Sequence, residues 1–339
     1  MNHSTLFLTS RGERHQQSAF AAAPPELAIT VLRDPPRAEV LRRLPDAEFL
    51  ISERAGTLDA ELIAAGRNLK LIQRLGTQTW DIDLAAARRA GVPVCYLPIR
   101  GCALVAEHLV MQLLVLAKRA RELMQIVADA GNWGEPRRCD ENYFAYNWSR
   151  RENIRGIAGS VVGIFGFGEI GAELARRLRG FDCEILYTKR KRLPQSAERE
   201  LALSFASRDE LLRRSDFVCS LLPLLPETAQ TLNAAAFALM KRGAIFAHCG
   251  AGAVVDENAL IIALQSGHLA GAALDTYTHE PMRADDPLLA LAHDPMRNVM
   301  LTPHIAAGSP QADRHRRAED YANIVAWLAG QPLRYRLVL

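Results

Sequence analysis

Val161-Val162-Gly163-Ile164-Phe165-Gly166-Phe167-Gly168-Glu169-Ile170-Gly171 is the stretch that decides the fold of this chain. An apolar run of strand length passes directly into Gly-x-Gly-x-x-Gly. Ile170, Leu174 and Leu178 then recur every four residues, so a helix opens inside the glycine loop. In that strand–glycine–helix setting each glycine has its own task. Gly166 permits a tight turn, Gly168 lets the backbone approach a pyrophosphate, and Gly171 lets helix and strand pack closely, with the phosphate at the helix N-terminus. Gly166, Phe167, Gly168, Glu169, Ile170 and Gly171 are therefore read as a dinucleotide site, against the plainer alternative of a structural glycine turn.

The end of the following strand bears on which dinucleotide. A site for NAD usually places Asp or Glu there to accept from the ribose 2′-OH. Here the strand runs into Thr188-Lys189-Arg190-Lys191-Arg192. Lys and Arg pair with a 2′-phosphate, which a carboxylate would repel. Thr188, Lys189, Arg190 and Arg192 thus point to NADP(H), with NAD(H) possible; the alternative is a solvated basic turn.

Outward from the loop, strand-length apolar runs alternate with helical spacing. Downstream, strands are expected at 161–165, 184–187, 217–221, 244–248, 271–274 and 299–301, which matches a six-stranded doubly wound domain of the Rossmann kind. Upstream, strands at 6–9, 28–32, 49–52, 69–74 and 92–96 alternate with helices at 37–44, 59–65 and 84–90, a second parallel α/β unit. A long helix is expected from about Cys102 to Ala130, and a tail helix over Ala312–Leu328. Between the two series, 131–155 is a polar loop carrying Trp133, Tyr143, Phe144, Tyr146 and Trp148, aromatics that usually need a partner surface.

The 339 residues suffice for about two domains, and 49% hydrophobic residues suffice for sizeable cores. A net charge of +3 gives no case for nucleic-acid binding. The six cysteines include no C-x-x-C pair, and no metal-ligand cluster is visible, so reduced, buried thiols are expected. Met1–Ser10 lacks the basic residues of a signal peptide, and no uninterrupted apolar stretch reaches the ~18 residues of a membrane span. These features favour a cytoplasmic protein with no membrane partner.

Three motifs follow the glycine loop in order: Val254-Val255-Asp256-Glu257; Ala273-Leu274-Asp275-Thr276-Tyr277 with Glu280-Pro281; and Leu301-Thr302-Pro303-His304. Together with Asp83-Leu84 and Val105-Ala106-Glu107-His108, they resemble the D-2-hydroxyacid dehydrogenase family over about Leu69 to Gly308, less so over the first sixty residues. The resemblance implies a Rossmann cofactor domain (104–305) and a smaller flavodoxin-like substrate domain (1–103 and 306–339), with a substrate cleft between them and a homodimeric assembly. By position, His304 would be the general acid/base, Glu280 its carboxylate partner, and Asp275 the residue holding the nicotinamide carboxamide. A small 2-hydroxy or 2-oxo acid, or a related carbonyl compound, would be the substrate.

Two departures stand out against that family. Its substrate-clamping arginine falls at Ala251, within His248-Cys249-Gly250-Ala251-Gly252-Ala253, and no neighbour in the motif supplies a guanidinium. Its Gly-Val-Gly-x-Asp loop reads Gly76-Thr77-Gln78-Thr79-Trp80 here. Arg100 is the candidate replacement cation, or else a surface arginine. Thr77, Gln78, Trp80 and His279 are candidate pocket residues, Trp80 equally a core residue. The missing arginine also supports a second expectation: an NADP(H)-binding regulatory or scaffold protein with little or no turnover, using the aromatic loop as its contact surface.

Overall fold

The computed structural model describes residues 2–308 and 316–338. The chain divides into two compact units, Met1–Arg100 with Gly308–Leu339, and Gly101–Ala307. Strands β1 (His3–Thr9), β2 (Leu27–Arg33), β3 (Phe49–Ser52), β4 (Leu71–Leu75) and β5 (Val94–Leu97) lie in the first. The second holds β6 (Val161–Phe165), β7 (Glu184–Thr188), β8 (Leu203–Phe205), β9 (Phe217–Ser220), β10 (Ala244–His248), β11 (Leu269–Leu274) and β12 (Val299–Leu301). The chain then returns to the first unit with β13 (Arg336–Val338).

The first sheet has the order β2-β1-β3-β4-β5-β13, parallel except for β13, which pairs antiparallel with β5. Side chains alternate across it. Leu6, Leu8, Leu50, Ile72 and Val94 face one core, packed with Val40, Leu62, Ile63 and Ala87 from three short helices. Phe7, Phe49, Ile51, Leu71 and Cys95 face the other, with Ala19, Tyr321 and Ile324. Burial on both faces is why these strands read as continuous apolar runs. The flavodoxin-like order follows, with its reversal between β1 and β3.

The second sheet has the order β8-β7-β6-β9-β10-β11-β12, all parallel. This is a doubly wound Rossmann-type sheet, entered at β6, whose reversal lies between β6 and β9. In such sheets ligands bind outside the C-terminal ends of the strands at that reversal. The glycine loop leaves β6 at this point.

Several expectations need correction. The second sheet has seven strands, not six: β8 is three residues long, and Ser204 and Phe205 are exposed, so it carries no apolar signature. The long helix is two, Arg100–Ala117 and Ala120–Ala128, broken where Arg119 takes a left-handed φ of 51°. The break lets the Arg119 guanidinium donate to the Met296 carbonyl at 3.1 Å, and lets Arg121 reach the Val299 and Ala292 carbonyls. The tail is likewise two helices, Arg316–Glu319 and Ala322–Leu328, and the start of the expected tail helix lies outside the described residues. Helix Glu13–Ala21 and β13 were not anticipated. Helix Arg100–Ala117 meets the length and hydropathy of a membrane span, where the sequence reading found no such stretch; its apolar residues Val105, Ala106, Leu109, Leu113 and Leu116 are nevertheless buried.

Candidate active site

Each glycine of the loop has a distinct physical reason. Gly166 has φ +94°, and an added Cβ would lie 2.9 Å from Leu222 Cδ2 and 3.1 Å from the Leu222 amide nitrogen. Gly171 faces the Phe167 ring, with which a Cβ would make a 3.1 Å contact, so helix Glu169–Leu178 lies close over β6. Gly168, the residue before the helix, is different: a Cβ there meets no heavy atom within 4 Å, and as a glycine it brings no side chain of its own to cap the helix. The N–H groups of the first helical turn, the positive end of the helix dipole and the open space at Gly168 make an anion cradle. The residues present therefore fit a dinucleotide pyrophosphate.

β7 ends at Thr188 with no carboxylate. Within the basic run, Arg192 forms a two-pronged ion pair with Glu198, at 2.8 and 2.9 Å, and Tyr187 donates to the same carboxylate at 2.7 Å. Arg192 thus braces the turn. Arg190 is 84% exposed at its side chain and lies 3.3 Å from Glu227, a contact open to solvent and weak. Lys189 is half-buried and Lys191 exposed.

His304 follows β12 and Glu280 follows β11. The His304 Nδ1 is 2.7 Å from Glu280 Oε2, and the other Glu280 oxygen accepts from the Tyr277 N–H at 3.0 Å. Burial opposes the Glu280 charge, but these two donors hold its carboxyl below the usual range. A cavity of about 570 Å³ opens on the pair, lined otherwise largely by Tyr277, Met282, Leu289 and Leu301. His304 itself stands at φ +52°.

Asp275 is fully buried and turned toward the residues after His304. Its Oδ1 accepts from the Thr302 hydroxyl at 2.6 Å and the Ile305 N–H at 3.0 Å, and its Oδ2 from the Ala306 N–H at 2.9 Å. Next to it, His108, Cys249 and Asp275 bring three ligand-type atoms within 4.8 Å of one another. Sequence spacing hid that grouping, because its members lie on three separate elements.

Ala251 is half-buried and packs on the core of its unit. Gly252 must be glycine, since a Cβ would sit 1.9 Å from the Tyr277 carbonyl oxygen. Nearby, burial holds His248 down to about 4 and pushes the Cys249 thiol far up, so both are neutral at pH 7 and neither replaces a guanidinium. In the first unit, Gln78 is fully buried, Thr77 and Trp80 are half-buried, and Arg100 is exposed at the start of its helix. His279 is exposed. The reading of the sequence passed over Arg74, wholly buried on β4, whose guanidinium pairs with Asp81 at 2.7 Å. It sits inside an apolar run, so only its charge marked it.

Residues 110–306 match the family model described as the NAD binding domain of D-isomer specific 2-hydroxyacid dehydrogenases. Glyoxylate reductase of Thermococcus kodakarensis is 35% identical over 301 residues, covering 88% of this chain and 85% of that protein. D-3-phosphoglycerate dehydrogenase of Mycobacterium leprae is 31% identical over 317 residues, 93% of this chain, which spans only 56% of that longer protein. Among solved structures, a Granulicella formate dehydrogenase superposes with a TM-score of 0.56 at 28% identity, covering 92% of this chain and 80% of the other. With its seven-stranded Rossmann-type sheet, its glycine cradle and its paired histidine and carboxylate, the chain belongs to the D-isomer specific 2-hydroxyacid dehydrogenase family, a family of nicotinamide-dependent oxidoreductases.

Proposed function

We propose that this protein is an NADP(H)-preferring oxidoreductase that interconverts a small 2-hydroxy acid and its 2-oxo acid, or a related carbonyl compound. The observation that carries the reading is the 2.7 Å contact between His304 Nδ1 and Glu280, in the unit that also holds the glycine cradle. The nicotinamide, when bound, supplies or accepts the hydride. Glu280 accepts a hydrogen bond from Nδ1–H and so fixes the tautomer, which leaves Nε2 to remove the hydroxyl proton in oxidation or return one to the carbonyl oxygen in reduction. Lys189 and Arg190 beside Thr188 support the choice of NADP(H). Thr77, Gln78 and Arg100 are proposed substrate contacts of the first unit.

Titration with NADPH and with NADH, followed by a panel of 2-oxo acids, aldehydes and ketones, tests the reading. Tighter NADPH binding and oxidation of NADPH by one of these compounds is the expected result. Ala251 at the arginine position favours a second reading, a cofactor-binding regulatory protein; binding without turnover across the panel would select it. We further propose a cytoplasmic homodimer. The six cysteines are free thiols, and Phe144 and Tyr146 on the 131–155 loop are 70% and 87% exposed, an apolar surface suited to a second copy.

A further inference from the structure

Val105-Ala106-Glu107-His108 lies on helix Arg100–Ala117, and its last two residues reach different halves of the site. Glu107 pairs at 2.9 Å with Arg177 on the helix that follows the glycine loop. His108 Nε2 lies 3.1 Å from the Thr302 hydroxyl, which lies 2.6 Å from Asp275 Oδ1. A hydroxyl has one proton and a carboxylate only accepts. The Thr302 proton therefore goes to Asp275, and the Thr302 oxygen accepts from a proton on His108 Nε2. Asp275 in turn grips the N–H groups of Ile305 and Ala306, the two residues after His304.

That grip has a purpose at His304, whose φ of +52° is a conformation that non-glycine residues adopt at a cost of ~1–2 kcal/mol. Glu280 fixes the ring of His304, and Asp275 fixes the backbone that carries it. Asp275 is 1% exposed and the His108 side chain 10%, so their hydrogen bonds work where water competes little.

We propose that His108 is a positioning residue for His304, acting through Thr302 and Asp275; the proposal rests on the acid/base reading of His304 given above. His108 does not touch substrate. It orients the Thr302 hydroxyl, which keeps Asp275 on the Ile305 and Ala306 amides and so keeps the His304 ring on Glu280.

The test uses the full chain labelled with 15N-histidine. His108→Phe keeps the ring's bulk and removes the donor; His108→Gln restores a side-chain N–H. Expected for His108→Phe are a shifted His304 Nδ1–H resonance, a kcat about ten-fold lower, and a KM for NADPH within about two-fold of the parent. His108→Gln should recover both the resonance and the rate to within about three-fold. Thr302→Val, at the other end of the same bond, should reproduce the loss and serves if His108→Phe does not fold. An unchanged His304 resonance in His108→Phe or Thr302→Val overturns the proposal, as does a His108→Gln protein no better than His108→Phe. If the parent protein turns over no carbonyl compound, the enzymatic reading fails, and the resonance alone decides whether His108 positions His304.

Discussion

Gly168→Ala should separate cofactor binding from folding. Gly168 has φ −115° and ψ −153°, extended backbone that any residue adopts, and an added Cβ has no neighbour within 4 Å. Folding stability should therefore change by less than about 0.5 kcal/mol. The methyl group would stand in the open space over the helix N-terminus, where the pyrophosphate has to approach. Pushing a phosphate back weakens one or two hydrogen bonds to an ionised group, each worth ~1.5–3 kcal/mol. The affinity for NADPH should then fall by about ten- to a thousand-fold. Urea unfolding reads the first quantity and a fluorescence titration with NADPH the second. Gly166→Ala is the contrasting control: φ +94° and contacts of 2.9–3.1 Å with Leu221 and Leu222 should cost ~2–4 kcal/mol of stability. A Gly168→Ala protein that binds NADPH as tightly as the parent would refute the placement of the phosphate, and with it the dinucleotide reading of the loop.

Ala251→Arg supplies the guanidinium absent from the loop after β10, and should raise kcat/KM for glyoxylate by about ten-fold or more if a 2-oxo acid carboxylate is bound there; no gain in steady-state kinetics would argue for a substrate without that carboxylate. Burial, helped by the nearby Glu53, pushes Asp320 up to about 7 despite Arg317 Nη1 at 3.0 Å. The folded state thus holds that proton more tightly than the unfolded chain, where Asp ionises near ~4, so its stabilising contribution is lost as pH rises through 7. Between pH 5.5 and 8.5 the parent should lose ~2 kcal/mol relative to Asp320→Asn in urea unfolding, and the opposite trend would contradict the raised value. Phe144→Asp with Tyr146→Asp should shift the protein from dimer to monomer in sedimentation equilibrium; a parent already monomeric removes the proposed assembly.

The sequence showed most clearly what local physics writes locally. β6 and its glycines were legible because the turn, the close approach and the helix start each need their residue within eleven positions. β3 was legible because all four of its residues are buried. The failures have equally local reasons. Helix Glu13–Ala21 buries only Ala19 and shows no apolar stripe, so nothing in its pattern distinguishes it from a loop. Arg119 ends a helix without Gly or Pro, through carbonyls on residues 292–299 that no window around it contains. The site divides the same way. The pairing of His304 with Glu280 was legible because ordered motifs carry both residues. The link from His108 to Thr302 joins residues 194 positions apart, and no periodicity records a pair at that distance.

The return of the chain to its first sheet also sets an order of events during synthesis. β13 closes the edge beside β5, and Tyr321 and Ile324 cover the face bearing Phe7, Phe49 and Leu71, yet the whole second unit is translated before any of them. A nascent chain that has just delivered β5 therefore presents an open strand edge and a bare apolar face, while the uninterrupted 101–307 segment can complete its own core as it emerges. The unit begun before the other is completed after it, and in the interval its open edge and bare face are what a chaperone would cover.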